Sequence, residues 1–169
     1  YEISECLVGS EMCIRDSSGV VHSAIADNKY LLRQNNVMIT VDEMEHKVYT
    51  DDKWVRFILD QIISNAVKYC TDQPTLHFFT VKKNDKIVLS IEDNGIGIPQ
   101  SDLPRIFEKG FTGTNGRNRE RSTGMGLYLC RKLCDKLNIE IRAESAEGKG
   151  TEIILMFPVS DYLTGYRET

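Results

Sequence analysis

The sequence of 169 residues lacks the features that mark several specialised classes of protein. No apolar run approaches the roughly 20 residues of a membrane-spanning helix, and the longest near the end covers residues 153–157. Five cysteines, an odd number without a CxxC pair, argue against a disulfide framework and for a reducing compartment. The three histidines are too scattered to predict a metal site. A net charge of −4 does not favour binding to nucleic acid or to anionic membranes.

A hydrophobic content of 41% over this length predicts one domain with its own core. Residues 1–16 continue neither a helical nor an alternating pattern and do not resemble a secretory signal. Residues 6–16 instead resemble a translated sequencing adaptor. We therefore expect a non-native leader outside the fold at 1–16, an entry helix at 17–34, the main domain at 35–160 and a polar tail at 161–169.

The apolar pattern predicts both helices and strands. Helical spacing covers residues 20–32 and 53–70, and Asp51 and Asp52 supply a cap and a first-turn carboxylate for the second helix. We predict a short helix over 101–107, capped by Ser101, and another that begins near Gly124. The remaining apolar segments predict strands at residues 37–41, 47–50, 75–82, 86–92, 139–144 and 151–157.

The stretch around which the chain is organised is Asp-Asn-Gly-Ile-Gly-Ile at residues 93–98. It follows an alternating strand, so Asp93 arrives at a strand end, where a carboxylate suits acceptance of a hydrogen bond from an exocyclic amine. Gly95 and Gly97 allow close backbone approach to a ligand and positive φ. By itself, the tripeptide Asp93-Asn94-Gly95 is more typical of a surface turn.

The helix over residues 53–70 carries polar residues along one edge of its apolar face. Gln61, Asn65 and Lys68 share a narrow sector, with Tyr69 just inside it. An amide oxygen suits Mg²⁺, and an ammonium suits a phosphate oxygen. The alternative is the polar boundary of an ordinary amphipathic helix.

A glycine-rich polar loop at residues 109–123 has no apolar periodicity, and loops of this length are often functional lids. Between residues 105 and 132, seven Lys and Arg against two Glu give a local net charge of +5, which favours a polyanionic ligand. Gly124 and Gly126 then open a helix, where exposed N–H groups and the helix dipole favour phosphate.

In order along the chain, these signals resemble the N, G1, F, G2 and G3 boxes of the catalytic ATP-binding domain of bacterial sensor histidine kinases. That family belongs to a superfamily with gyrase and Hsp90. The resemblance covers roughly residues 20–158, and its motifs are Asn65, Asp93-x-Gly95-x-Gly97, the segment 106–111, Gly124-x-Gly126-Leu127 and Gly148-x-Gly150-Thr151. The sequences of residues 48–54 and 105–113 are most similar to those of the intramembrane-sensing kinases of Gram-positive bacteria. Those kinases respond to bacitracin and cationic antimicrobial peptides.

The resemblance implies an α/β fold, a two-layer sandwich of the GHKL (Bergerat) type, with a mixed sheet, helices on one face and a mobile ATP lid. Asp93 would accept from the adenine amino group, Asn65 with Gln61 would hold Mg²⁺, and Lys68 would reach the phosphates. The further ATP-site residues that it implies are Tyr69, Gly95, Gly97, Phe107, Lys109, Arg117, Arg119, Arg121, Thr123, Gly124, Gly126, Leu127 and Thr151.

The resemblance also implies partners. None of the histidines has the phosphoacceptor context of the family, so we expect this chain to need the dimerisation domain of its parent kinase as substrate and to be unable to phosphorylate itself. A response regulator would follow, and the full-length protein could work beside an ABC transporter. We expect a cytoplasmic domain of a plasma-membrane protein, without nucleic-acid or membrane contact by this fragment.

Three other functions use the same pocket: an ATPase of the gyrase or Hsp90 type, a serine kinase that regulates a sigma factor, and a non-enzymatic nucleotide-binding module. In the hydrolysing branch of the superfamily, the residue four before the Mg²⁺-binding asparagine is a glutamate that activates water. Here that position is Gln61, and an amide cannot serve as a general base. The sequence therefore favours a kinase that hydrolyses ATP slowly.

Overall fold

A computed structural model of the protein describes residues 12–114 and 123–158. The helices in this part of the chain are α1 (Ser17–Asp27), α2 (Lys29–Gln34), α3 (Asp52–Lys68) and α4 (Gly126–Lys136). The strands are β1 (Cys13–Asp16), β2 (Met38–Val41), β3 (Lys47–Thr50), β4 (Thr75–Lys83), β5 (Lys86–Asp93), β6 (Glu140–Ala146) and β7 (Gly150–Phe157). A single 3₁₀ turn covers Leu103–Arg105.

Five strands form a mixed sheet in the order β2-β4-β5-β7-β6, in which only the β2–β4 pair is parallel. The predicted hairpin of β4 and β5 is confirmed, and its two turn residues Asn84 and Asp85 have φ of 49° and 63°. Positive φ at both turn residues matches the twist of a tight hairpin. The α/β class with a mixed sheet is therefore as predicted.

One face of the sheet is buried because apolar residues alternate along its strands. Leu76 and Phe78 of β4 are buried, and Phe78 pairs with the buried Ile91 of β5. The core also contains the apolar face of α3, which packs between α1 and α4: Val55, Ile58, Leu59, Ile62, Ile63, Ala66 and Val67. Ile63 and Val67 are buried as well, because α3 is flanked by a helix on each side.

The start of α3 is set by its cap. The carboxylate of Asp51 accepts a hydrogen bond from the backbone N–H of Trp54 at 3.4 Å, and Asp52 occupies the first turn. Both features were predicted, and both stabilise a helix N-terminus. The helix begins one residue earlier and ends two residues earlier than predicted.

The predicted helix over residues 20–32 is in fact two helices, α1 and α2, that meet at Asn28. The Asn28 side chain donates to the carbonyl of Ala24 at 2.9 Å and to the Asp60 carboxylate on α3 at 2.6 Å. A partner 32 residues away gives no signal in local periodicity, which explains the error.

The helix predicted over residues 101–107 is reduced to the 3₁₀ turn Leu103–Arg105, and Ser101 is not its cap. Pro104 lies in the first positions of this turn, where its missing N–H breaks no hydrogen bond within the helix. The carboxylate of the preceding Asp102 accepts instead from the backbone N–H of Thr114 at 2.9 Å. The 3₁₀ turn therefore has no side-chain cap, and the Asp102 carboxylate binds the loop at Thr114.

The expectation that residues 1–16 lie outside the fold is wrong for Cys13–Asp16. This strand pairs antiparallel with β3, and the Asp16 carboxylate caps α1 by accepting from the N–H of Ser18 at 3.1 Å. Residues 1–11 and the predicted tail at 161–169 lie outside the described residues, and the non-native origin of the leader stays a prediction. No helix in the part that the structure describes is long and apolar enough to cross a membrane.

Candidate functional site

A cavity of about 300 Å³ lies beside α3, at the end of β5 and the start of α4. This volume is at the lower end of the range that small-molecule sites occupy. The cavity walls include eleven of the predicted site residues: Gln61, Asn65, Lys68, Tyr69, Asp93, Gly97, Thr123, Gly124, Gly126, Leu127 and Thr151. Residues from separate parts of the chain therefore meet at one place, as the order of the motifs predicts.

Asp93 is the last residue of β5, where it pairs with Leu76 on one side and Thr151 on the other. Its Oδ1 accepts two backbone hydrogen bonds, from Gly95 at 2.8 Å and from Thr151 at 3.2 Å. Burial raises the pKa of the Asp93 carboxyl, and these two bonds oppose the shift. Because both bonds reach Oδ1, Oδ2 is the oxygen that remains for a donor on a ligand.

Two turns lie beside Asp93, one after β5 and one before β7, and each requires a glycine. Gly97 has φ +72°, and a Cβ there would lie 2.0 Å from the carbonyl oxygen of Ala146. Gly150 has φ +87°, and its Cβ would lie 1.9 Å from the carbonyl oxygen of Asp93. The two glycine turns therefore pack backbone against backbone, which places Thr151 next to Asp93.

At the other end of the cavity, α4 begins at Gly126. A Cβ on Gly126 would come within 2.8 Å of Gln61 Oε1, so the Gln61 amide lies against the first turn of α4. The backbone N–H groups of that turn have no partner within the helix, and the helix dipole makes this end positive. An anionic group is favoured here, close to the amides of α3.

The donor set at this end fits Mg²⁺. The amides of Gln61 and Asn65 both line the cavity. Elsewhere in the described ranges, no cluster of three or more His, Cys, Asp or Glu side chains offers another metal site. Mg²⁺ keeps several waters and is bound by one or two protein oxygens together with substrate phosphates. A pair of amides beside the positive end of α4 supplies such an incomplete set.

The profile described as "Histidine kinase-, DNA gyrase B-, and HSP90-like ATPase" matches residues 50–161. The chain belongs to this family. Membership of this ATPase family supports nucleotide binding by the domain.

Sequence comparison finds similar proteins among named sensor kinases. The sensor histidine kinase GraS of Staphylococcus epidermidis is 46% identical over 114 residues, which are 68% of this chain and 33% of GraS. The sensor protein kinase GraS of Staphylococcus aureus strain MRSA252 is 44% identical over 119 residues, 70% of this chain and 34% of that protein. The chain thus spans about a third of the length of the curated relatives it matches.

Solved structures with the same fold include a nucleotide-free catalytic domain of the histidine kinase ThkA, with a TM-score of 0.74 and 21% identity over 88% of this chain and 96% of that one. The mycobacterial sensor histidine kinase MprB has a TM-score of 0.75 and 20% identity, covering 86% of this chain and 97% of MprB. At this level of identity, the likeness establishes the fold. It agrees with the predicted two-layer sandwich.

Three predicted site residues do not line the cavity of this ATPase-family domain. Gly95 lies under the turn, where a Cβ would be 2.5 Å from the carbonyl oxygen of Tyr69. Phe107 packs against the core, with the Arg131 guanidinium 5.8 Å from its ring centroid, and Lys109 is exposed. Gly95 and Phe107 therefore pack behind the cavity wall rather than form it. Arg117, Arg119 and Arg121 lie outside the described residues.

The sequence did not predict five apolar residues that line the cavity: Ile98, Pro99, Ile106, Phe111 and Ile153. One signal was present, because Ile153 follows Thr151 by two residues and the two therefore share a face of β7. The others come from turns without periodicity. They give the cavity the apolar surface that is typical of small-molecule sites.

Proposed function

We propose that this chain is the catalytic ATP-binding domain of a sensor histidine kinase, and that it transfers the γ-phosphate of ATP to a histidine on a separate dimerisation domain. The observation that carries the proposal is the amide pair Gln61 and Asn65 on α3, at the end of the cavity where α4 begins. The 44–46% identity to proteins named as sensor kinases supports the same activity.

The absence of a base on α3 favours a kinase over a hydrolase. Among the described cavity-lining residues, the carboxylates are Asp93, at the strand end, and Asp102, which accepts from Thr114. Neither lies on α3, and the Gln61 amide has no group that accepts a proton near neutral pH. Water in this cavity would therefore lack a general base, and an imidazole from another domain would be the better nucleophile.

At the adenine end, Asp93 Oδ2 would accept a hydrogen bond from the exocyclic amino group. Its other oxygen is already held by Gly95 and Thr151, which fixes the carboxylate before the nucleotide binds. Tyr69 and Ile153 line the same cavity and provide apolar surface for the base. Preorganisation of this kind reduces the free-energy cost of ordering the site upon binding.

At the phosphate end, the backbone of Gly124, Gly126 and Leu127 would hold the phosphate chain, and the Lys68 ammonium would balance its charge. Asn65, with Gln61 beside it, would hold Mg²⁺. When bound, Mg²⁺ would neutralise charge on the phosphate oxygens. The protein's task is then to hold the γ-phosphate so that the incoming imidazole nitrogen can form a bond to phosphorus as the bond to ADP breaks.

The nucleophilic histidine would come from outside this chain. All three histidines lie away from the cavity walls: His22 contacts Ser18, His46 contacts Thr80, and His77 contacts Asp42. A solved complex of the kinase ThkA with the response regulator TrrA has the same fold in its kinase part, with a TM-score of 0.71 and 18% identity over 95% of this chain and 47% of that chain. We propose equivalent partners here: the parent's dimerisation domain, a response regulator, and an ABC transporter beside the full-length plasma-membrane protein.

The test is phosphotransfer from radiolabelled ATP to a separately purified dimerisation domain of a closely similar kinase. We expect label on that domain in an acid-labile, base-stable form, which is the behaviour of phosphohistidine, and no label on the chain alone. Asn65→Ala should abolish the transfer. Acid-stable label would favour a serine kinase, rapid release of free phosphate would favour an ATPase, and nucleotide binding without either would favour a sensing module.

A further inference from the structure

Ser145 of β6 lies outside the cavity wall but joins the two glycine turns that form the adenine end. Its Oγ accepts a hydrogen bond from the backbone N–H of Ile98 at 2.8 Å and donates one to the carbonyl of Gly150 at 2.7 Å. A third contact, at 2.9 Å, reaches Oγ1 of Thr151. Ser145 is therefore bonded to both turns and to a residue of the nucleotide site.

The direction of the third bond follows from counting protons. A serine hydroxyl has one proton and two lone pairs. A backbone N–H can only donate and a carbonyl can only accept, so Ile98 uses one lone pair of Ser145 and Gly150 uses its proton. The remaining lone pair of Ser145 can only accept, so the hydroxyl proton of Thr151 must point to Ser145.

The Thr151 side chain can therefore act toward the cavity only as a hydrogen-bond acceptor. Its hydroxyl proton is directed at Ser145, and its backbone N–H is directed at Oδ1 of Asp93. Toward a ligand, the Thr151 oxygen can then only accept a hydrogen bond. The ionised Asp93 is also only an acceptor. The two polar side chains at this end of the cavity both require a donor on the base.

We propose that Ser145 is a positioning residue for base selection: it holds the Thr151 hydroxyl as an acceptor, so that the site favours a purine with an exocyclic amino group over one with a carbonyl there. The inference rests on the proposed function, because it assumes that the base binds beside Asp93. Without Ser145, the Thr151 proton is free to turn toward the cavity and donate to a carbonyl. The discrimination against carbonyl purines should then weaken.

The experiment measures the dissociation constants of MgATP and of magnesium inosine triphosphate, which carries a carbonyl in place of the amino group. For Ser145→Ala we expect the ratio that favours ATP to fall about three- to tenfold, the worth of one hydrogen bond. Ser145→Thr keeps a hydroxyl and should keep the ratio. In a Thr151→Val background, Ser145→Ala should leave the ratio unchanged, because the hydroxyl through which it acts is gone.

An unchanged ratio in Ser145→Ala, or an equal fall in both backgrounds, would overturn the inference. If Ser145→Ala does not fold, Thr151→Val against Thr151→Ser still tests it: the valine variant should lose ATP preference, the serine variant should keep it, and equal ratios would overturn it. Asp93→Asn distinguishes a failure of the proposed nucleotide site from a failure of the role proposed for Ser145. If it leaves ATP binding intact, the proposed site itself fails, whereas a large loss with no effect of Ser145 defeats this inference alone.

Discussion

The backbone N–H of Gly110 donates a hydrogen bond to the carbonyl of Gly124 at 3.0 Å, so the two ends of the predicted lid are joined to each other. Gly124 has φ +67°, and a Cβ there would lie 2.5 Å from the carbonyl carbon of Gly110. The base of the lid segment is therefore a backbone-to-backbone contact that tolerates only glycine at position 124.

Gly124→Ala should weaken ATP binding and lower the melting temperature, because it adds a collision to backbone strain. Gly148→Ala is a matched control, since Gly148 has φ +73° but nothing within 4 Å of its added Cβ. The control should show only the strain of a non-glycine residue in this region, about 1–2 kcal/mol. Calorimetry and thermal melts of both variants check this, and equal losses in the two would show that the Gly110 contact is unimportant.

Asp93→Asn should weaken ATP binding by about 1–3 kcal/mol and leave the fold intact, because an accepting oxygen remains but its charge is lost. The pH dependence gives a second readout. The pKa of the Asp93 carboxyl is raised by burial in the free protein, and an amino donor favours the ionised form, so affinity should fall as pH drops through that raised pKa. In Asp93→Asn this acid limb should be absent. The same limb in both proteins would assign the titration to another group.

Steady-state hydrolysis of ATP by the unmodified chain should be very slow, since Gln61 cannot act as a general base. A positioned base is worth about 10²–10⁴-fold in rate. Gln61→Glu should therefore raise the release of free phosphate, while Gln61→Ala should not. Fast turnover by the unmodified chain that is lost in Gln61→Ala would instead support the ATPase alternative.

His77 should make stability depend on pH. Its Nε2 lies 2.9 Å from Oδ1 of Asp42, and this hydrogen bond is the main cause of its raised pKa, to which Glu92 adds. A histidine with a raised folded-state pKa contributes stability that is fully present below about 6.5, its unfolded value, and lost as pH rises through the folded pKa. The urea midpoint should fall over that window, and the fall should shrink in His77→Gln and Asp42→Asn. If the pH dependence of the urea midpoint is unaltered in both variants, the His77–Asp42 pair is not its cause.

A chain that starts at Ser17 should melt at a lower temperature than the chain of 169 residues, because it lacks β1 and the Asp16 cap. Loss of an N-cap alone costs about 1 kcal/mol. ATP affinity should not change, since no residue of β1 or β3 lines the cavity. In the chain of 169 residues, Asp16→Asn keeps a capping oxygen and serves as control. An unchanged melting temperature of the shorter chain would restore the view that the leader lies outside the fold.

The sequence predicted most of the cavity through the family resemblance, whose motifs are short and local. The positions of Asp93, Gly97 and Thr151 follow from strand ends and glycine turns, and Gln61 and Asn65 are one helical turn apart. The break at Asn28 could not be predicted, since it depends on Asp60 of another helix. The same holds for Phe111 and Ser145, whose roles arise only when distant turns come together.

The position of β5 in the sheet has a consequence for the order in which a nucleotide leaves. Asp93 is paired on both sides, with Leu76 and Thr151, so two neighbouring strands hold its backbone at the end of β5. The phosphate end is bounded by the Gly110–Gly124 contact in a loop, and loops open at far lower free energy than the centre of a sheet. Release should therefore begin at the phosphates, with the base as the last point of attachment, and dissociation rates should respond to changes at Gly124 more than to changes in β5.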